Sequence, residues 1–117
     1  MEVYIKNQFE GFHRWKTAPE EVKFLRDPHR HIFKVKTTVS VNFADRDVEF
    51  IMVQHRINEI IKKWDEIDHL DWSCETMAIN ILTELNKLYP GREMSCDVSE
   101  DGENGAVVHM TAEGKIY

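Results

Sequence analysis

The chain has 117 residues, 42% hydrophobic and 31% charged, which fits one globular domain and excludes general disorder. Twenty-one acidic residues against 15 basic ones give a formal charge of −6, which argues against a nucleic-acid surface. The longest apolar run, Phe50-Ile51-Met52-Val53, is far short of a membrane span. The opening Met1-Glu2-Val3-Tyr4-Ile5-Lys6 lacks the pattern of a signal peptide, and Cys74 and Cys96 are too few for a secreted disulfide framework. The expectation is a small, acidic, cytoplasmic domain.

Residues 2–13 are predicted as a strand, with Val3, Ile5 and Phe9 on one parity and Gly11 and His13 continuing it. Residues 14–28 are polar and hold Pro19 and Pro28, the pattern of a loop. From His29 the alternation returns: Phe33, Val35, Thr37, Val39 and Val41 interleave with Lys34, Lys36, Thr38 and Ser40, one face apolar and one wet. Asp45-Arg46-Asp47 can turn the chain. The period then lengthens. Val53, Ile57, Ile60, Ile61 and Trp64 form one stripe of an amphipathic helix. Ala78, Ile81, Leu82, Leu85 and Leu88 form the stripe of a second. Ser73 can cap that helix, Glu75 suits its first turn, and Tyr89-Pro90-Gly91 stops it. Met94, Cys96 and Val98 alternate with Glu93, Ser95 and Asp97 as a third strand. Residues 101–105 are turn material, and residues 106–111 return as the fourth strand of a hairpin. The order ββααββ predicts a single α+β domain over residues 1–117, an antiparallel sheet with both helices on one face.

Six histidines are many for this length. His29 and His31, two apart on a strand, project from the face that continues with Phe33 and Val35, which parity makes the buried one. Buried imidazoles need partners, and Zn²⁺ is a natural one. His13 becomes a third ligand if the first strand pairs antiparallel with the second, and three ligands with an open fourth position is the catalytic type of zinc site. The alternative reading is a chance His-x-His on the surface. Asp68 and His69, between the helices, pair a carboxylate with an imidazole, a common general acid/base device; a solvated pair is the plainer alternative. Glu100 continues the inward parity of Met94, Cys96 and Val98, so its carboxylate faces the interior at a strand end, where a ligand's N–H groups can satisfy it. The alternative is a frayed strand end. Cys74 lies just inside a helix start, where the dipole can lower a thiol pKa, whereas Cys96 reads as core. His55 and His109 have no constellation around them, and Lys23, Arg26 and Arg30 can neutralise an anionic substrate or be solvated.

These residues together resemble the 6-pyruvoyl-tetrahydropterin synthase and 6-carboxy-tetrahydropterin synthase (QueD) family over nearly the whole chain. Phe9-Glu10-Gly11-Phe12-His13-Arg14 resembles the family's Phe-x-x-x-His-Arg segment. His29-Arg30-His31 resembles its His-Gly-His entering the second strand, and Val48-Glu49-Phe50 its Met-Asp-Phe before the first helix. Ile67-Asp68-His69-Leu70 is similar to its Leu-Asp-His segment, and Ser73-Cys74-Glu75-Thr76-Met77-Ala78 to its Pro-Thr-x-Glu-x-x-Ala helix opening. Val98-Ser99-Glu100, followed by Asn104-Gly105-Ala106, resembles its Val-x-Glu-Thr strand end.

The resemblance implies a tunnelling fold (T-fold) whose sheets join around a trimeric barrel, with sites between subunits of a homotrimer or homohexamer. It implies Zn²⁺ on His13, His29 and His31, catalytic roles for Asp68 and His69, and a pterin ring anchored by Glu100, which on this reading is not a metal ligand. The implied activity is a lyase or synthase acting on 7,8-dihydroneopterin triphosphate or a close analogue, in pterin or deazapurine (queuosine) metabolism. Two positions depart from the family pattern. Residues 23–28 hold no cysteine where the family has a proton-transferring one, and Asp27 is the nearest carboxylate, the group some relatives use instead. Arg30 stands in place of the family glycine and is expected to point away from the metal. The alternative function is a zinc- and pterin- or purine-binding relative without turnover.

Overall fold

The computed structural model describes residues 1–117. Alternating side chains make β1 (Glu2–His13) and β2 (His29–Ser40), which pair antiparallel over their full lengths, from Glu2 opposite Ser40 to His13 opposite His29. β3 (Met94–Glu100) pairs with the far side of β2, with Val39 opposite Met94 and Phe33 opposite Glu100. β4 (Asn104–Met110) returns along β3, giving a four-stranded antiparallel sheet in the order β1-β2-β3-β4. On β2 the inward set Phe33, Val35, Thr37 and Val39 is buried while Lys34 and Lys36 are exposed, so one face carries the core and the other meets water.

The helices cover that inner face. α1 (Phe50–Lys63) starts where the Glu49 carboxylate accepts from Ile51 N at 3.0 Å, and it buries Val53, Ile57 and Ile60. α2 (Cys74–Leu88) starts where Ser73 Oγ accepts from Thr76 N at 3.2 Å. It buries Cys74, Met77, Ala78, Ile81, Leu82 and Leu85. α1 packs over β1, and α2 over β3 and β4. The architecture is therefore α+β with both helices on one face, in the expected chain order. No helix is long and apolar enough to cross a membrane.

Four local expectations are corrected. The loop between β1 and β2 contains a 3-10 stretch, Glu20–Arg26, kinked at Val22. Trp64, expected in the stripe of α1, belongs to a 3-10 turn (Trp64–Glu66); its buried ring meets Phe9 edge-on and its Nε1 donates to Asn80 Oδ1 at 2.7 Å. Leu88, at the last turn of α2, is exposed. Asn104 and Gly105 lie in β4, because the turn is tightened by positive φ at Asp101 (58°) and Gly102 (76°). A side chain at Gly105 would fall on the Val98 carbonyl oxygen and within 2.6 Å of Ser99 Cα, so only glycine lets the two strands approach there.

The sheet brings three strand ends to one place. The last residue of β1, the first and third of β2 and the last of β3 share one end of the inner face.

Candidate metal centre

Cross-strand pairing sets His13 opposite His29, and strand parity adds His31 on the same face. The ring centroids are 4.6 Å apart for His13–His29, 5.3 Å for His13–His31 and 5.0 Å for His29–His31. Phe33 packs edge-on against His13 and His31, closing the apolar side of the cluster.

Each imidazole is held by its Nδ1. His13 donates to Trp72 O at 2.9 Å, His29 to Asp27 O at 2.9 Å, and His31 to Asp101 Oδ2 at 2.8 Å. All three partners are acceptors, so each Nδ1 carries a proton, and in the neutral ring each Nε2 is the nitrogen left to bind a cation. The Nε2 atoms of His13 and His31 are buried without a hydrogen-bond partner. Glu100 Oε2 stands 3.2 Å from the first and 3.6 Å from the second. One ligand atom from each of His13, His29, His31 and Glu100 lies within 4.8 Å of every other.

Three imidazoles and a carboxylate gathered this closely form a donor set that a positive charge between them would satisfy. A proton on His13 is a poor candidate: burial holds its pKa below the ordinary imidazole value, against the opposing pull of the Trp72 carbonyl and Glu100. A metal ion would satisfy all four donors at once. Three imidazole nitrogens and one carboxylate oxygen suit a first-row transition metal and not the all-oxygen shells of Mg²⁺ or Ca²⁺. The group is able to hold a metal ion.

A cleft of about 430 Å³ opens beside the cluster, lined by His13, His29 and Glu100 together with Trp15, Cys74 and Asn104. That is the size of a small-molecule site. Arg14 also lines it, but its guanidinium charge is met by Asp71 at 2.8 Å.

The other expected residues lie elsewhere or act differently. Asp68 and His69 line a second groove of about 450 Å³ beside Phe9 and Phe12, apart from the imidazoles. They are not bonded to each other: Asp68 Oδ1 accepts from Leu70 N at 3.3 Å, and His69 Nδ1 donates to Ile67 O at 3.2 Å. Asp27 contributes its main-chain carbonyl to His29. Cys74 is not an activated thiol, because burial pushes its pKa up to about 12 and outweighs any helix-dipole effect. Cys96 is core, as expected, and accepts from Thr37 Oγ1. Arg30 pairs with Glu10 at 3.0 Å, on the face away from the imidazoles, while Lys23 and Arg26 both reach Glu20. Asp101 and the Trp72 carbonyl, which orient two of the three imidazoles, carry no signal in strand parity and were not among the expected site residues.

Comparison with protein-family models and with curated proteins finds no match to this chain.

Proposed function

We propose that the protein is a zinc-dependent pterin synthase or lyase of the 6-pyruvoyl- and 6-carboxy-tetrahydropterin synthase type, acting on 7,8-dihydroneopterin triphosphate or a close analogue. The observation that carries this reading is the convergence of His13, His29, His31 and Glu100 beside a cleft of substrate size. Two orphaned, buried Nε2 atoms are the test of fit for a cation, and an imidazole-rich shell suits zinc. Zinc, when bound, supplies Lewis-acid polarisation of the substrate's side-chain oxygens and acidifies the neighbouring C–H positions.

The chain's own residues supply the rest. His13, His29 and His31 hold the ion, with Trp72, Asp27 and Asp101 fixing the ring orientations through Nδ1. Glu100, at the rim of the cleft, accepts the paired N–H groups of a pterin edge. Asp68 and His69 face a different groove, so on this reading a neighbouring copy brings its own pair to the cleft for proton transfer. The ββααββ order and the bare outer face of the sheet support a T-fold unit closed into a trimer or hexamer.

The second reading, a zinc- and pterin-binding protein without turnover, is favoured by one set of observations. No thiol precedes His29, and Cys74 holds its proton tightly. Incubating metal-loaded protein with 7,8-dihydroneopterin triphosphate, with products read by mass spectrometry, separates the two. Loss of triphosphate with a shortened or oxidised-state-shifted side chain supports the enzyme, binding without product supports the second reading, and neither binding nor product overturns both.

A further inference from the structure

Glu100 faces two ways. Its Oε2 lies 3.2 Å from His13 Nε2 and 3.6 Å from His31 Nε2, yet neither Nε2 makes a hydrogen bond, and each ring is tied to its neighbours through Nδ1 instead. A carboxylate oxygen beside two imidazole Nε2 atoms that lack hydrogen bonds is the donor set that a shared cation would satisfy. In a tetrahedral shell with bonds of about 2.0–2.1 Å, adjacent donor atoms are about 3.3–3.4 Å apart, and the two contacts straddle that value. The carboxylate is therefore in position to be a ligand.

It is also in position to leave. Glu100 ends β3 at the rim of the cleft, and its side chain is 31% exposed where that of His13 is 10%. No N–H or O–H donor of the protein makes a hydrogen bond to either carboxylate oxygen. The His13, His29 and His31 rings are each tethered by a 2.8–2.9 Å hydrogen bond; Glu100 has no tether.

We propose that Glu100 is a displaceable fourth ligand: it closes the metal centre while the cleft is empty and moves onto the N–H edge of an incoming heterocycle, opening a coordination position only when a ligand is bound. This rests on the reading of the cluster as a metal centre and of the cleft as a heterocycle site. No covalent bond is made or broken; one carboxylate trades a metal contact for two hydrogen bonds. The consequence is thermodynamic coupling, since the metal and the heterocycle compete for the same side chain and each changes the other's affinity by the same factor.

The experiment uses the full chain loaded with Co²⁺ and pterin itself, a ring without the substrate's side chain. Ring binding is followed by pterin fluorescence and the metal shell by the cobalt visible spectrum. The proposal expects the wild-type cobalt spectrum to change in step with ring binding. Glu100→Gln, folded as judged by circular dichroism, is expected to bind Co²⁺ at least about tenfold more weakly, with a spectrum that does not respond to saturating pterin. Ring binding that leaves the wild-type spectrum unchanged overturns the proposal. So does wild-type Co²⁺ affinity in Glu100→Gln, or an equal spectral response in both proteins. No ring binding at all overturns the heterocycle reading and the exchange with it, while the Co²⁺ affinity of Glu100→Gln still decides whether the carboxylate is a ligand.

Discussion

Asp101 follows β3 directly, in the left-handed region at φ 58°, and its two carboxylate oxygens do different work. Oδ1 accepts from Ile32 N at 2.8 Å and Oδ2 from His31 Nδ1 at 2.8 Å; these hydrogen bonds hold its carboxyl below the usual aspartate range. An acceptor behind a ligating imidazole fixes its tautomer and raises its basicity. Asp101→Asn keeps the backbone turn, since asparagine tolerates positive φ, but replaces the charged acceptor. We expect metal affinity to fall about 10–100-fold with the fold intact, read by competition with a chromogenic chelator. Wild-type affinity would show that His31 needs no orienting carboxylate. The three imidazoles were legible in the sequence because a two-residue spacing and antiparallel pairing are local rules that fix faces. Asp101 was not, because a positive φ re-aims a side chain that strand parity sends the other way. Cys74 misled for a different reason: desolvation in the core acts on a thiol more strongly than the end of a helix does.

At the scale of elements, the hairpin of β3 and β4 carries Glu100 to the site and depends on glycine. Gly105→Ala forces a Cβ against the Val98 carbonyl and Ser99, backbone that cannot move aside. We expect a loss of about 1–3 kcal/mol in urea unfolding, as for overpacking elsewhere, together with a weaker metal centre. Unchanged stability would mean that the hairpin relaxes around the added methyl. The turn after β2 is pinned by Arg92, whose Nη1 donates to Asp47 Oδ2 at 2.9 Å and to Ser40 O at 3.0 Å, with Nη2 reaching Asp47 Oδ1 at 3.3 Å. Hydrogen bonds from Arg92 and Asn42 N hold the Asp47 carboxyl below its ordinary value. A carboxyl lowered in the folded state adds stability above the unfolded value of about 3.9, and that stability is lost as pH falls below it. Asp47→Asn is therefore expected to be less stable than wild type at pH 7, with the difference shrinking below about pH 4; a difference independent of pH would remove charge from the explanation. The strands and helices themselves were legible because period-2 and helical stripes are long. Their ends were not: Trp64 left the helix to bury its ring beside Phe9 and bond Asn80, and β4 began early because the turn was shorter than its composition suggested.

At the scale of the molecule, the helices leave the outer face of the sheet uncovered. Lys6 there stands opposite Lys36, a like-charge pair that is unfavourable across antiparallel strands. The two edges differ. β4 is partly covered by the chain's own end, where His109 and Tyr117 exchange backbone hydrogen bonds of 2.9 Å and Thr111 N donates to Lys115 O. β1 presents twelve residues of open edge, with Gln54 Nε2 on the Lys6 carbonyl as a side-chain cover. Closure of several sheets into a barrel would pair that edge, and the proposed function needs a second copy to supply Asp68 and His69. A trimer or hexamer is expected in sedimentation equilibrium at micromolar concentration, and a clean monomer would contradict both arguments. Strand alternation showed that edges exist; it held no information on what covers them, because that depends on segments outside the strand itself, as residues 115–117 do for β4.

The central claim is that three imidazoles hold one metal ion. Its most direct test is the zinc content of the purified protein after equilibrium dialysis against Zn²⁺, alongside His29→Ala/His31→Ala. The account predicts about one Zn²⁺ per chain in the wild type and loss of stoichiometric zinc in the double variant, with both folded by circular dichroism. Wild-type protein without stoichiometric metal, or a double variant that retains it in full, would contradict the account.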